Sequence, residues 1–253
     1  MGQVMPVYAE YGGGVRLAVV MSPVMPEWDK GEFFAPLTEK LVAAGFRVRI
    51  FDTLSLLEDG PADFARLFDA WSRELEVLGE IELLAGSALG GCLAQTLLYR
   101  LGGVRAKKAL LISAPSKADD RLNYRLGAMA DLAGQRRLEE ALMLLNRYVL
   151  PEGVQAASPM EDITGDRLNQ CRRLEQGFGL LRDIDVTEQI RAYAGRLLHV
   201  YGEQSQLVRD VNVACGDHGG HARLEVKGGG MRPLQDDPDG VVRAVREHLE
   251  IAL

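Results

Sequence analysis

A largely apolar run at 81–85 leads without a break into Gly86-Ser87-Ala88-Leu89-Gly90-Gly91, and a second apolar run follows to 101. A strand that turns into a helix over so few residues forces its own backbone into close passage. Only residues with little or no side chain fit where the chain passes itself. Glycines two before and two after Ala88 therefore fix the register of a tight strand-to-helix turn. Such a turn belongs to a parallel sheet with helices packed on it.

The rest of the chain fits that architecture. Strand-like runs lie at 4–10, 16–21, 47–51, 108–113, 196–201 and 223–226. Helical spacing covers 34–44, 61–78, 88–101 and 241–249, and 186–193 resumes the alternation after a long break. Tyr11-Gly12-Gly13-Gly14 reads as a turn, and Gly45 as a helix end. Between 117 and 181 the character changes: three helical patterns at 121–132, 136–150 and 167–181 follow one another with no strand between them. The expected fold class is α/β, with a mostly parallel central sheet and flanking helices. Residues 1–116 and 182–253 form the core, and 117–181 a helical cap inserted over it.

Composition excludes several classes. With 253 residues there is ample length for a core, and 47% hydrophobic with 26% charged residues is ordinary for a globular chain. Acidic residues outnumber basic ones, 36 to 29, for a net charge of −7, and no basic stripe marks a nucleic-acid partner. No run of apolar residues is long enough to span a membrane. The opening Met1-Gly2-Gln3-Val4-Met5-Pro6 lacks the basic and apolar regions of a secretory signal. Three scattered cysteines, Cys92, Cys171 and Cys215, do not make a disulfide framework. A cytoplasmic location is expected.

In the pattern G-x-S-x-G the serine of such a turn is a nucleophile. Here Gly86 and Gly90 hold the glycine places, Ala88 the centre, and Ser87 stands one position early. Together with Leu89-Gly90-Gly91, the order of elements and the helical insertion, this turn resembles the α/β-hydrolase superfamily over almost the whole chain. The resemblance is closest to small bacterial esterases, lactonases and C–C hydrolases with a helical cap. It implies an acid after a late strand, where Tyr201-Gly202-Glu203-Gln204-Ser205 puts Ser205. It also implies a histidine near the end, where Gly228-Gly229-Gly230-Met231-Arg232-Pro233 puts Met231. A methyl group cannot attack a carbonyl, a thioether takes no proton at neutral pH, and a hydroxyl does not stabilise an imidazolium as a carboxylate does. Three separate exchanges point to a repurposed site rather than one stray substitution.

What the resemblance leaves intact is an oxyanion hole of two backbone N–H groups, on Leu89 and on Val24. Ser87, Met25, Met231 and Ser205 are the expected pocket residues, and the apolar lining expected from Met25, Leu89 and Met231 favours an apolar or acyl small molecule. The leading expectation is a homologue without a catalytic triad. It binds such a molecule as an accessory protein, or acts on it as a cyclase, lyase or isomerase, with no cofactor and no metal. An ester or thioester hydrolase or acyltransferase with a relocated nucleophile, Ser87 or Cys92, is the second reading. A structural or interaction module is the third, and a homodimer is left open. Glu203, Asp183 and Asp185 are candidate displaced acids, with Asp185 the better helix cap. His199 reads as a core residue, His218 and His221 as members of a glycine-rich loop, and His248 as part of the last helix. The Gly228-Gly229-Gly230 run lacks the Lys-Ser/Thr of a phosphate loop, so its expected task is to give the backbone room beneath the pocket.

Overall fold

The computed structural model describes residues 5–57, 60–100, 106–155 and 165–253. The expectations at Val4 and Leu101 lie outside them. Seven strands form one sheet in the order β1-β3-β2-β4-β5-β6-β7. They are β1 (Tyr8–Tyr11), β2 (Arg16–Met21), β3 (Phe46–Phe51), β4 (Ile81–Ser87), β5 (Ala106–Ile112), β6 (Arg196–Gly202) and β7 (His221–Val226). Only the edge strand β1 is antiparallel, to β3; every other pairing is parallel.

Burial explains the strand sequences. β2, β4, β5 and β6 are covered on both faces and read as nearly unbroken apolar runs. The edges β1 and β7 are half-exposed and mix polar with apolar residues. One face carries Val20, Phe46, Val48, Leu110 and Val200 against α1 (Ala35–Ala43) and α9 (Pro238–His248). The other carries Val19, Met21, Leu84, Leu111 and Leu197 with α2 (Phe64–Glu76) and α3 (Ala88–Arg100). The registers Met21↔Gly86, Ser87↔Ile112, Ile112↔Val200 and Gly202↔Val226 bring the carboxyl ends of five strands to one edge. That edge is where open parallel sheets place their ligands.

Between β5 and β6 run α4 (Asp120–Gly134), α5 (Leu138–Val149), α6 (Arg167–Leu180) and α7 (Thr187–Ala192). Aspartates start several helices. Asp119 accepts from Leu122 N–H, and Asp166 from Leu168 and Asn169 N–H. Each such cap stabilises its helix by about 1 kcal/mol. α4 packs on α5 and α6.

Several connections bind this helical segment to the sheet. Arg173 of α6 meets Asp52, just after β3, through two hydrogen bonds of 2.8 and 2.9 Å, and its Nε donates to Met25 O at 3.0 Å. Gly177 lies against Val24, where a Cβ would stand 2.7 Å from Val24 Cγ1. The end of α5 is tied to two loops: Met231 N–H donates to Val149 O (3.0 Å), and Gln206 Nε2 to Arg147 O (2.6 Å).

Several sequence boundaries shift. Tyr11 closes β1 instead of opening the turn, and β4 continues to Ser87. His221 is the first residue of β7, not a loop residue, because it pairs with Leu197. The helix expected over 61–78 spans only Phe64–Glu76, since Asp63 caps it. The short α8 (Pro233–Asp236) was too brief to show a period. Val186, not Asp185, is the residue preceding α7, although Asp185 Oδ1 does accept from Thr187 N–H at 3.1 Å.

The Arg173–Asp52 pair is largely buried, with side-chain exposures of 13% and 8%. Removing one partner strands a buried charge. Asp52→Ala is expected to destabilise the chain by about 3 kcal/mol in urea unfolding at pH 7. A loss well under 1 kcal/mol would show that solvent, not the carboxylate, satisfies Arg173.

Candidate functional site

β4 passes into α3 through a tight bend. Gly86 has no room for a side chain, because a Cβ would stand 2.5 Å from Gly90 O. A Cβ on Gly90 would overlap Met21 O, and one on Gly91 the Ala114 methyl. The three glycines are thus required by backbone and neighbour contacts, as the spacing implied. The residue they enclose, Ala88, is held at φ 46°, a left-handed conformation that costs a residue with a side chain about 1–2 kcal/mol. The bend tolerates that strain because the sheet and α3 fix both its ends.

Ala88 faces a cavity of about 130 Å³. Val24, Met25, Ser87 and Met231 share its wall, so five of the positions singled out in the sequence converge there. The helical segment supplies Leu122, Leu126, Leu145, Val149, Phe178 and Leu181, residues whose role no local motif announces. Ser87 and Arg232 are the polar members of the wall.

Ser205 and Leu89 do not line the cavity. Ser205 stands behind Met231 and donates its hydroxyl hydrogen to Met231 Sδ at 3.1 Å. Val208 N–H also points at that sulfur, at 3.4 Å. Both side chains are buried. The two loops therefore bring positions 205 and 231 together, but the contact is between a hydroxyl and a thioether, which moves no proton at neutral pH. Leu89 is in the core cluster that also holds Val24. Among the described residues Val24 N–H, outside every helix and strand, donates no hydrogen bond. Leu89 lies in the first turn of the 13-residue α3, where the helix dipole favours negative charge.

The remaining candidates are engaged elsewhere. Cys92 is fully buried, its thiol donates to Pro115 O at 3.0 Å, and burial pushes its pKa far up. Glu203 accepts from Gly228 N–H, Asp183 from Asn123, and Asp185 pairs with Lys117. Of the glycines at 228–230, Gly230 gives the backbone room at the cavity wall, since a Cβ there would stand 2.7 Å from O of the wall residue Val149. Among the described residues no cluster of three or more His, Cys, Asp or Glu side chains is arranged to hold a metal ion.

No histidine borders the cavity wall. His199 is fully buried, with Nε2 2.7 Å from Ala114 O, so that nitrogen carries the proton. His221 Nδ1 accepts from Gly216 N–H at 2.7 Å, and its ring lies 4.2 Å from that of His218. Burial lowers the pKa of His199 to about 4, and burial followed by the charge of His218 lowers that of His221 to about 4. The folded chain thus keeps both rings neutral, while the unfolded chain takes up protons below about 6.5. Stability is full above that pH and falls as pH drops toward 4. The urea midpoint is expected to decline between pH 7 and pH 4.5, His199 accounting for up to about 3 kcal/mol. A midpoint flat across this window would contradict the burial of these rings.

No protein-family model matches the chain, and no curated protein matches it by sequence. Solved structures do. MGS-M2, an α/β-hydrolase enzyme from a Medee basin deep-sea metagenome library, superposes with a TM-score of 0.77 at 10% identity, over 97% of this chain and 94% of its own. A bromoperoxidase from Bacillus anthracis gives 0.74 at 16% identity, over 96% and 94%. A serine-to-alanine mutant of the meta-cleavage product hydrolase from Pseudomonas fluorescens IP01, complexed with acetates, gives 0.65 at 13%, over 98% and 95%. Similarity at these identities speaks to architecture, and with the parallel sheet, the glycine-bounded bend and the cavity at the strand ends it settles that the chain has the α/β-hydrolase fold.

Proposed function

We propose that this chain is a non-hydrolytic member of its fold class, which holds an apolar or acyl small molecule in the cavity over Ala88. In this reading residues 117–181 act as a cap that closes the apolar wall. The observation that carries the proposal is the methyl group of Ala88 at the centre of the bend, held at φ 46° where a nucleophile belongs. The Ser205–Met231 contact supports it, because the partners that would activate a nucleophile form a hydroxyl–thioether pair.

The ligand's body would lie against Met25, Leu126, Phe178 and Met231. A cavity of roughly 150 Å³ suffices for benzene, so about 130 Å³ suits a small ring or a short chain. A carbonyl oxygen would accept from the N–H groups of Leu89 and Val24. Backbone donors of this kind are indifferent to the side-chain exchanges around them. Without a nucleophile such binding orients the ligand and excludes water from it, and leaves its ester or amide bond whole.

A relocated nucleophile is the competing reading, because Ser87 also lines the cavity. A serine hydroxyl needs a base within hydrogen-bond reach. The cavity wall offers no imidazole and no carboxylate. Cys92 is the poorer candidate, since burial opposes its thiolate.

The test is activity and labelling together. The purified chain is expected to leave short p-nitrophenyl esters unhydrolysed and to remain unlabelled by a serine-reactive fluorophosphonate. Stoichiometric labelling lost in Ser87→Ala would contradict the proposal.

A further inference from the structure

We infer that the molecule held in the cavity carries an anionic end group, a carboxylate, received by Arg232 at the cavity mouth. The inference rests on the small-molecule reading above and narrows its ligand class. Arg232 is the charged residue of an otherwise apolar wall. It is also exposed, so it stands where the cavity meets solvent.

Its position is fixed from the backbone. Arg232 O accepts from Gln235 N–H (2.8 Å) and Asp236 N–H (2.9 Å) at the start of α8, while Met231 before it is tied to Val149. Two carboxylates on neighbouring segments already accept from backbone donors. Asp236 accepts from Gly230 N–H at 2.8 Å, and Asp29 from Gly31 and Phe33 N–H at 2.8 and 2.7 Å. Among the described residues no ion pair and no side-chain hydrogen bond involves the Arg232 guanidinium. The arginines Arg173, Arg209 and Arg223 all have carboxylate partners.

A guanidinium left with five free donors at the rim of a greasy hole matches an amphipathic acid. The apolar body enters the cavity, and the planar carboxylate meets the planar fork. The chain carries a net charge of −7, so its overall field repels anions. A local cation at the mouth offsets that repulsion where the ligand must pass. A neutral ligand would gain less from this side chain, because an uncharged oxygen accepts its N–H groups more weakly than a carboxylate does.

The experiment uses two matched probe pairs, phenylacetate with phenylacetamide and hexanoate with hexanamide, titrated calorimetrically into the whole chain at pH 7.5. In at least one pair the acid is expected to bind about fivefold more tightly than its amide, the scale of one half-exposed charge pair. That preference should vanish in Arg232→Ala, persist in part in Arg232→Lys, and shrink with added salt. The amide should lose less affinity than the acid in every variant, and its continued binding shows that the cavity is intact. If acid and amide bind alike in the native chain, or if Arg232→Ala keeps the preference, the assignment of Arg232 is wrong while the cavity reading stands. If no probe binds, both are overturned.

Discussion

The backbone at 86–91 passes its neighbours so closely that side chains are excluded at three positions. Gly86 lies against Gly90, Gly90 against the end of β2, and Gly91 against Ala114. This crowding links the centre of the sheet to the start of α3 and fixes the direction of the residue between. Position 88 is presented to the cavity whatever its side chain is, because the bend, not the side chain, sets its conformation. A fold built on that constraint keeps a well-placed central position even when the group there has no reactivity. In this chain it presents a methyl group to an apolar space.

Around that point the side chains meet through packing and weak hydrogen bonds. Met231 is gripped on one side by Ser205 and Val208 N–H and on the other by the tie of its own N–H to α5. Arg173 joins α6, the turn after β3 and the Met25 carbonyl. The loop that carries Val24 N–H is thereby held by the same residue that anchors the helical segment. One buried ion pair thus ties the helical segment to the turn after β3, and the same arginine holds the Met25 carbonyl beside Val24. Breaking a buried pair is costly, even where the pair adds little over apolar packing.

Much of this was legible in the chain. β2 and α6 fell within a residue of their expected bounds, because buried strands and amphipathic helices announce themselves by composition and period. The register of the bend was readable because close approach demands glycine. The meeting of positions 205 and 231 was implied only through resemblance, since nothing local says that two loops 26 residues apart touch. The wall contributed by α4, α5 and α6 could not be read. Leu126 and Phe178 look like any core residues until their facing partner is known. Arg173 and Arg232 were missed for a related reason: the first owes its place to Asp52, 121 residues away, and the second is distinguished by its place in the cavity wall, which no local motif announces. The loop glycines at 228–230 showed that a backbone comes close there, but not that it is the end of α5.

The most direct measurement is a crystal structure of the chain soaked with methyl phenylacetate. The account predicts an intact ester in the cavity over Ala88, with its carbonyl oxygen within hydrogen-bond distance of Leu89 and Val24 N–H. Continuous density from a phenylacetyl group to Ser87 Oγ, with methanol lost, would contradict it.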